Sequence, residues 1–153
     1  MDDPKKFYRD ISPRMRRAMF DNTRKLILRG WTVRELARDD SRAPVSPWDK
    51  NAACWCLTGA MMRTAHDYAR YIKHRTDDEE FAKFYFKWED DFMRREYFER
   101  FLFWAGSQKL RETIPIWNDR PGRTSREVCS LLDDLIQIHA PKSEQVSADD
   151  LTF

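Results

Sequence analysis

The sequence predicts a mainly α protein, a compact bundle of about four or five helices with room for short extended segments near 31–45 and 113–117. Three observations predict it. Glycine is scarce, with 4 in 153 residues. Charged residues make up 35% of the chain, and Arg, Glu, Asp, Leu and Met are plentiful, a helix-compatible composition. Apolar residues recur at helical spacing over several long stretches. A chain of this length can bury roughly 68–70% of the surface its unfolded form exposes, so one domain needs no covalent staples. Residues 1–141 are expected to form that domain, and the polar tail 142–153 to be flexible.

The elements follow in order. Ser12-Pro13 reads as an N-cap and first helical position. Met15, Ala18, Met19, Asn22, Leu26 and Ile27 follow at helical spacing, and Gly30 suits the position after the helix. A helix over 13–29 results. Thr32 and Glu35 have the spacing of a capping box, which favours a short helix at 33–38. The alternative is an extended segment through Trp31, Val33 and Leu36. Ser46-Pro47 looks like another start, and the stripe Ala53, Cys56, Leu57, Ala60, Thr64, Tyr68, Tyr71 predicts a helix over 48–75. Four acids at 77–80 suit the first turn of a further helix. That helix carries Phe81, Phe84, Tyr85, Trp88, Phe92, Met93, Tyr97, Phe101 and Trp104. Pro115 and Pro121 exclude a helix from 113–124, and Pro121-Gly122 marks a turn. Thr124 and Glu127 form a second capping box. Val128, Leu131, Leu132, Leu135, Ile136 and His139 then define the clearest amphipathic helix, ended by Pro141.

Two pieces carry a resemblance. "WCLTGA" at 55–60 and "IPIWNDRPGRTSREVCSLLDDLI" at 114–136, with Gly30-Trp31 before them, resemble an uncharacterised bacterial and phage family, a domain of unknown function. Its pattern has WC-x-x-GA followed by WND-x-x-x-RT-x-x-EV. About half the chain is covered, in separated pieces. The chain departs from the pattern where Ser41-Arg42 stands in place of a glycine turn, and where 75–108 is expanded and rich in aromatics. The resemblance implies no activity, cofactor or catalytic residue. The occurrence of the family in phages implies a role in host interaction or counter-defence.

Little in the sequence looks like chemistry. Three cysteines form no disulfide framework and suggest a reducing, cytoplasmic setting. On the expected helix, Cys54 and Cys56 lie about 200° apart and cannot share a metal ion. His66-Asp67 has no upstream histidine to complete a metal phosphohydrolase set. No metal and no cofactor is expected. The charged start lacks an apolar run, and the longest apolar stretch, 52–62, is far shorter than the ~20 residues of a membrane-spanning helix.

Three features remain. The first 42 residues hold 12 Lys/Arg against 7 Asp/Glu, whereas 77–99 hold 4 against 9. These two faces are expected to offset each other. The alternative is a nucleic-acid interface built on Arg14, Arg16, Arg17, Arg24 and Lys25, but the proline-rich loop that follows does not supply a recognition helix. The aromatic segment 81–104 is core at helical spacing, and any exposed remainder would suit a protein partner or a second copy. The most suggestive polar set is Asn118, Asp119, Arg123 and Thr124, with Trp117 and Trp55 as candidate walls for a small anionic ligand. The plainer reading uses Thr124 as N-cap and Asn118 and Asp119 as turn formers. The leading expectation is a non-enzymatic binding or regulatory protein that engages a protein partner or a small anionic, nucleotide-like ligand. Nucleic-acid binding and a small enzyme acting on a nucleotide-like substrate are the alternatives. Trp55 is expected to face the "WND" turn.

Overall fold

Pro13 can open a helix because the N–H it lacks would be unpaired there anyway. From it, α1 runs Pro13–Arg29, the span the spacing predicts. The structure is a computed structural model and describes residues 13–74 and 113–139. Within them the chain is mainly helical. Next come β1 (Ala37–Arg38), β2 (Pro44–Val45) and β3 (Cys54–Trp55). After these lie α2 (Leu57–His74), α3 (Ile114–Asp119) and α4 (Ser125–His139). The helix expected over 77–104 and the tail 142–153 lie outside the described residues.

The strands form a small antiparallel sheet in the order β2-β1-β3. Ala37 pairs with Val45 on one side and with Trp55 on the other. The free side of β3 is taken by residues 30–32, where the Trp55 N–H donates to the Gly30 carbonyl at 3.0 Å and the Thr32 N–H to the Trp55 carbonyl at 3.1 Å. Trp55 is thus enclosed by backbone on both sides.

Three sequence expectations need correction. The helix over 48–75 begins nine residues late, at Leu57. Residues 46–52 instead close successive turns on Ser46 and Asp49, and Cys54-Trp55 is drawn into the sheet. The capping-box helix at 33–38 does not form, and the extended alternative is nearer the truth. Thr32 is instead buried and accepts the Arg38 Nε–H at 3.1 Å. Conversely, 114–119 is helical, although its prolines seemed to forbid it. Pro115 falls in the first turn, where no N–H is needed, and the Trp117 N–H donates to the Thr113 carbonyl at 2.9 Å. The Pro121-Gly122 turn holds: Gly122 has φ 85° and the Arg123 N–H closes on the Arg120 carbonyl at 2.9 Å.

The core collects Met19, Phe20 and Ile27 of α1, Trp55 of β3, Leu57, Ala60 and Met61 of α2, and Val128, Leu132 and Leu135 of α4. α1 packs most extensively on α4 and then on α2. A buried polar contact joins α1 to α2. The Thr23 and Thr64 hydroxyl oxygens lie 3.1 Å apart, and each is also within hydrogen-bond reach of a carbonyl one turn back on its own helix. Two glycines are required by close approach and not by conformation. A Cβ on Gly59 would collide with the Leu36 carbonyl, and one on Gly30 with the Ala53 carbonyl. Gly30 therefore ends α1 without a left-handed φ, contrary to a glycine cap.

Candidate functional site

The polar turn after α3 is built around Asn118, which is 1% exposed. Its Oδ1 accepts the Trp31 indole N–H at 2.9 Å and the Leu57 N–H at 3.1 Å. Its Nδ2 donates to the Thr32 carbonyl at 3.2 Å and to Asp119 Oδ1 at 2.9 Å. Both atoms of the amide are satisfied, and three chain segments are tied together. Asp119 Oδ1 also accepts the Arg34 N–H at 3.0 Å, which holds Arg34 at φ 69°, a conformation that side-chain-bearing residues rarely adopt.

Arg123 is equally engaged. Its guanidinium lies 4.1 Å from the centroid of the Trp117 ring, Nε donates to the Trp117 carbonyl at 2.9 Å, and a terminal nitrogen pairs with Glu127 Oε2 at 2.7 Å. Thr124 and Glu127 complete the predicted capping box. The Glu127 N–H donates to Thr124 Oγ1 at 3.3 Å, and the Thr124 N–H to Glu127 Oε1 at 3.1 Å. Arg123 beside it, and the Thr124 groups that bond to it, hold the Glu127 carboxyl below its ordinary value. The space between this turn and the 34–36 segment is about 10 Å³.

Trp55 does not face this turn, which corrects the sequence expectation. It is wholly buried and its indole N–H donates to the Pro47 carbonyl at 2.9 Å. The tryptophan that meets Asn118 is Trp31. Over the Trp55 ring lie the guanidinium carbons of Arg29, at 5.4 Å from the centroid, and Arg63, at 5.9 Å. Arg63 also reaches the Pro47 and Asp49 carbonyls and pairs with Asp67. Arg29 makes no ion pair or hydrogen bond from its side chain among the described residues.

Arg29 stands at the rim of an open cleft of about 690 Å³ between the end of α1, the 39–41 turn and the 50–53 loop. Lys50, Asp39, Asp40, Ser41 and Asn51 share the lining. Asp39 Oδ1 accepts the Ser41 N–H at 2.9 Å, the Ser41 hydroxyl at 2.8 Å and the Ala43 N–H at 2.9 Å. The Ser41 hydroxyl, and then the backbone donors, hold the Asp39 carboxyl below its ordinary value. The same turn sets Arg42 at φ 71°, a conformation that glycine adopts at no steric cost.

The cations of α1 are distributed otherwise. Arg24 Nε lies 2.7 Å from Asp133 Oδ1 of α4, an ion pair without hydrogen-bond alignment. Lys25 pairs with Asp21 at 3.5 Å. Arg16 and Arg17 are half-buried, and Arg14 lies in the first turn. The aromatic segment 81–104 lies outside the described residues.

Cys54, Cys56 and Cys129 form no disulfide and are buried. Cys54 is on β3 and Cys56 just after it, so the helical geometry used to separate them does not apply. Cys54 Sγ contacts the Arg38 carbonyl, whereas Cys56 Sγ accepts the Gly59 N–H at 3.3 Å. Burial pushes the Cys129 thiol up, away from a reactive thiolate. His66 stacks on Trp48 with ring centroids 5.9 Å apart, and its Nδ1 lies 3.2 Å from Asp67 Oδ1.

Sequence reasoning singled out the Asn118–Thr124 turn but missed the cleft. Arg29 counted only among the 12 Lys/Arg of the first 42 residues, and Lys50 and Asn51 stood where a helix was expected. The signal for Trp31 was present, since Gly30-Trp31 and the "WND" turn belong to one pattern. A family model described as a family of unknown function (DUF6197) matches residues 13–138. No curated protein and no solved structure matches the chain.

Proposed function

The chain belongs to that family of unknown function, and from this premise we propose that it is a non-enzymatic binding protein for a small anionic ligand. The ligand would sit in the cleft between the end of α1 and the 39–41 and 50–53 loops. One observation carries the reading: the Arg29 guanidinium is laid on a buried tryptophan at the rim of a 690 Å³ cleft, with no acceptor among the described residues. A guanidinium held by a ring face keeps its in-plane N–H donors for a carboxylate or phosphate. Lys50 adds a second cation without an ion pair among the described residues. Because Arg29 is already positioned, little side-chain entropy is lost when an anion binds.

Asn118, Asp119, Arg123 and Thr124 enter this reading as the brace. Asn118 fixes Thr32 and Leu57, which flank the Gly30–Trp55 pairing on which Arg29 rests. The reading keeps the expectation of a bundle of four or five helices. Three cysteines outside any disulfide support a reducing, cytoplasmic setting. Among the described residues no helix is long and apolar enough to cross a membrane.

The test is calorimetric titration of the full chain with inorganic phosphate and with citrate. Binding is expected, weaker at higher salt because the cleft is open to solvent. Arg29→Met keeps the cover over Trp55 but removes the charge, and should weaken binding about tenfold, as should Lys50→Ala. Heats indistinguishable from dilution for both anions would sink the reading.

A further inference from the structure

The cleft also says what kind of anion it would take. Resting on the reading above, we infer that the ligand is a phosphorylated sugar or polyol, recognised through its hydroxyls and not through an aromatic base.

Two groups of side chains line the cleft, and their chemistry differs. Arg29 and Lys50 supply positive charge, and neither is in an ion pair among the described residues. Of the two carboxylates, Asp39 has one oxygen committed to three donors of its own turn. Asp40 has no such commitment. Its side chain is exposed and bonds to nothing among the described residues, and the same holds for the Asn51 amide. The Asn51 backbone N–H is occupied instead, donating to Asp49 Oδ1 at 2.7 Å, which places the amide on the rim. A carboxylate that only accepts, beside an amide that both accepts and donates, matches adjacent hydroxyls, each of which is donor and acceptor at once. Two cations beside one uncommitted carboxylate suit the double charge of a phosphate monoester better than a neutral zwitterion.

What the cleft lacks points the same way. Among the described residues its apolar lining is Ala52 and Ala53, and none of the described walls is aromatic. Trp55, over which Arg29 lies, is wholly buried. Stacking on an exposed ring supplies much of the affinity for a base, and the described walls offer none. A nucleotide would be held by its phosphate and ribose alone.

The experiment compares four probes on the full chain by calorimetry: inorganic phosphate, ethyl phosphate, ribose 5-phosphate and adenosine 5′-monophosphate. All four are expected to bind. Ribose 5-phosphate should bind about tenfold tighter than ethyl phosphate, because its hydroxyls meet Asp40 and Asn51. The adenine should add less than about threefold. Asp40→Ala with Asn51→Ala should shrink the gap between ribose 5-phosphate and ethyl phosphate to less than about threefold. Both side chains are exposed and bond to nothing described, so the double variant should fold, and its circular dichroism spectrum checks this. Equal affinities for ribose 5-phosphate and ethyl phosphate, or a gain of more than about tenfold from the adenine, would overturn the inference. The anion reading would then still stand on the binding of phosphate and its loss in Arg29→Met. Failure of all four probes to bind would overturn both.

Discussion

Asn118 shows how much one side chain can organise. A buried amide with two donors and two acceptor sites here joins the end of α3 to Trp31, Thr32 and Leu57. Leaving a buried backbone N–H or carbonyl without a partner costs roughly 1–3 kcal/mol each. Asn118→Ala strands the Leu57 N–H and the Thr32 carbonyl, while the half-buried Trp31 indole can turn to water. A loss of about 3 kcal/mol is expected, read as a lower urea midpoint at unchanged slope. A loss under about 0.5 kcal/mol, the range of ordinary surface substitutions, would mean that the amide is replaceable by solvent. At this scale the sequence was partly legible. Asn118 and Asp119 stand out beside a Pro-Gly pair, but they are not the turn formers that position suggests: they end α3 and bond backbone far away in sequence. Their partners were not legible. Trp31 is 87 residues away in sequence, and no local rule reaches that far.

At the scale of elements, α4 follows its sequence closely because its determinants are local. The capping box and the apolar spacing both lie within the segment itself. One consequence is a pH dependence. Glu127 is held below its ordinary value chiefly by Arg123. A carboxyl lowered on folding contributes stability that is complete above its unfolded value and is lost as pH falls through the folded value. Glu127→Gln should therefore lower Tm at neutral pH. The gap from the unchanged protein should close as pH falls below the ordinary glutamate value of 4.5. A gap that stayed constant down the acid limb would remove the carboxylate from the cap. The helix expected over 48–75 failed at its start for the opposite reason. Its first nine residues have helical spacing, but they are claimed by contacts outside the element: Arg38 and Leu36 carbonyls take the Ala53 and Cys56 N–H groups at 2.8 and 3.2 Å. The short helix α3 was missed because Pro115 was read as a breaker, and its place in the first turn depends on where Thr113 caps.

Across the described residues, α1, α2 and α4 share one core, and none of the three buries its apolar face alone. Leu132 is wholly buried on the α4 face of that core. Truncating such a residue removes its transfer energy and leaves a cavity, so Leu132→Ala should cost about 2–5 kcal/mol. Because the core is shared, far-ultraviolet circular dichroism and tryptophan fluorescence should report one coincident unfolding transition in this variant. Separate transitions would mean that α4 comes away on its own. The Arg24–Asp133 pair across the same interface is largely solvated and adds at most about 1 kcal/mol.

The sequence by itself determined the mainly helical class, the span of α1, the Pro-Gly turn and the cap and body of α4. Each of these rests on interactions within a few residues, or on a periodicity that holds in any context where one face is buried. Only the tertiary structure decided that Cys54-Trp55 is a strand, that Trp31 and not Trp55 meets Asn118, and that Arg29 and Lys50 share a cleft. A two-residue strand has no period to read, and backbone hydrogen bonds to distant segments outweighed its weak local preference for helix. The cleft is a meeting of three loop and helix ends, and their proximity is a property of the packed core rather than of any one segment.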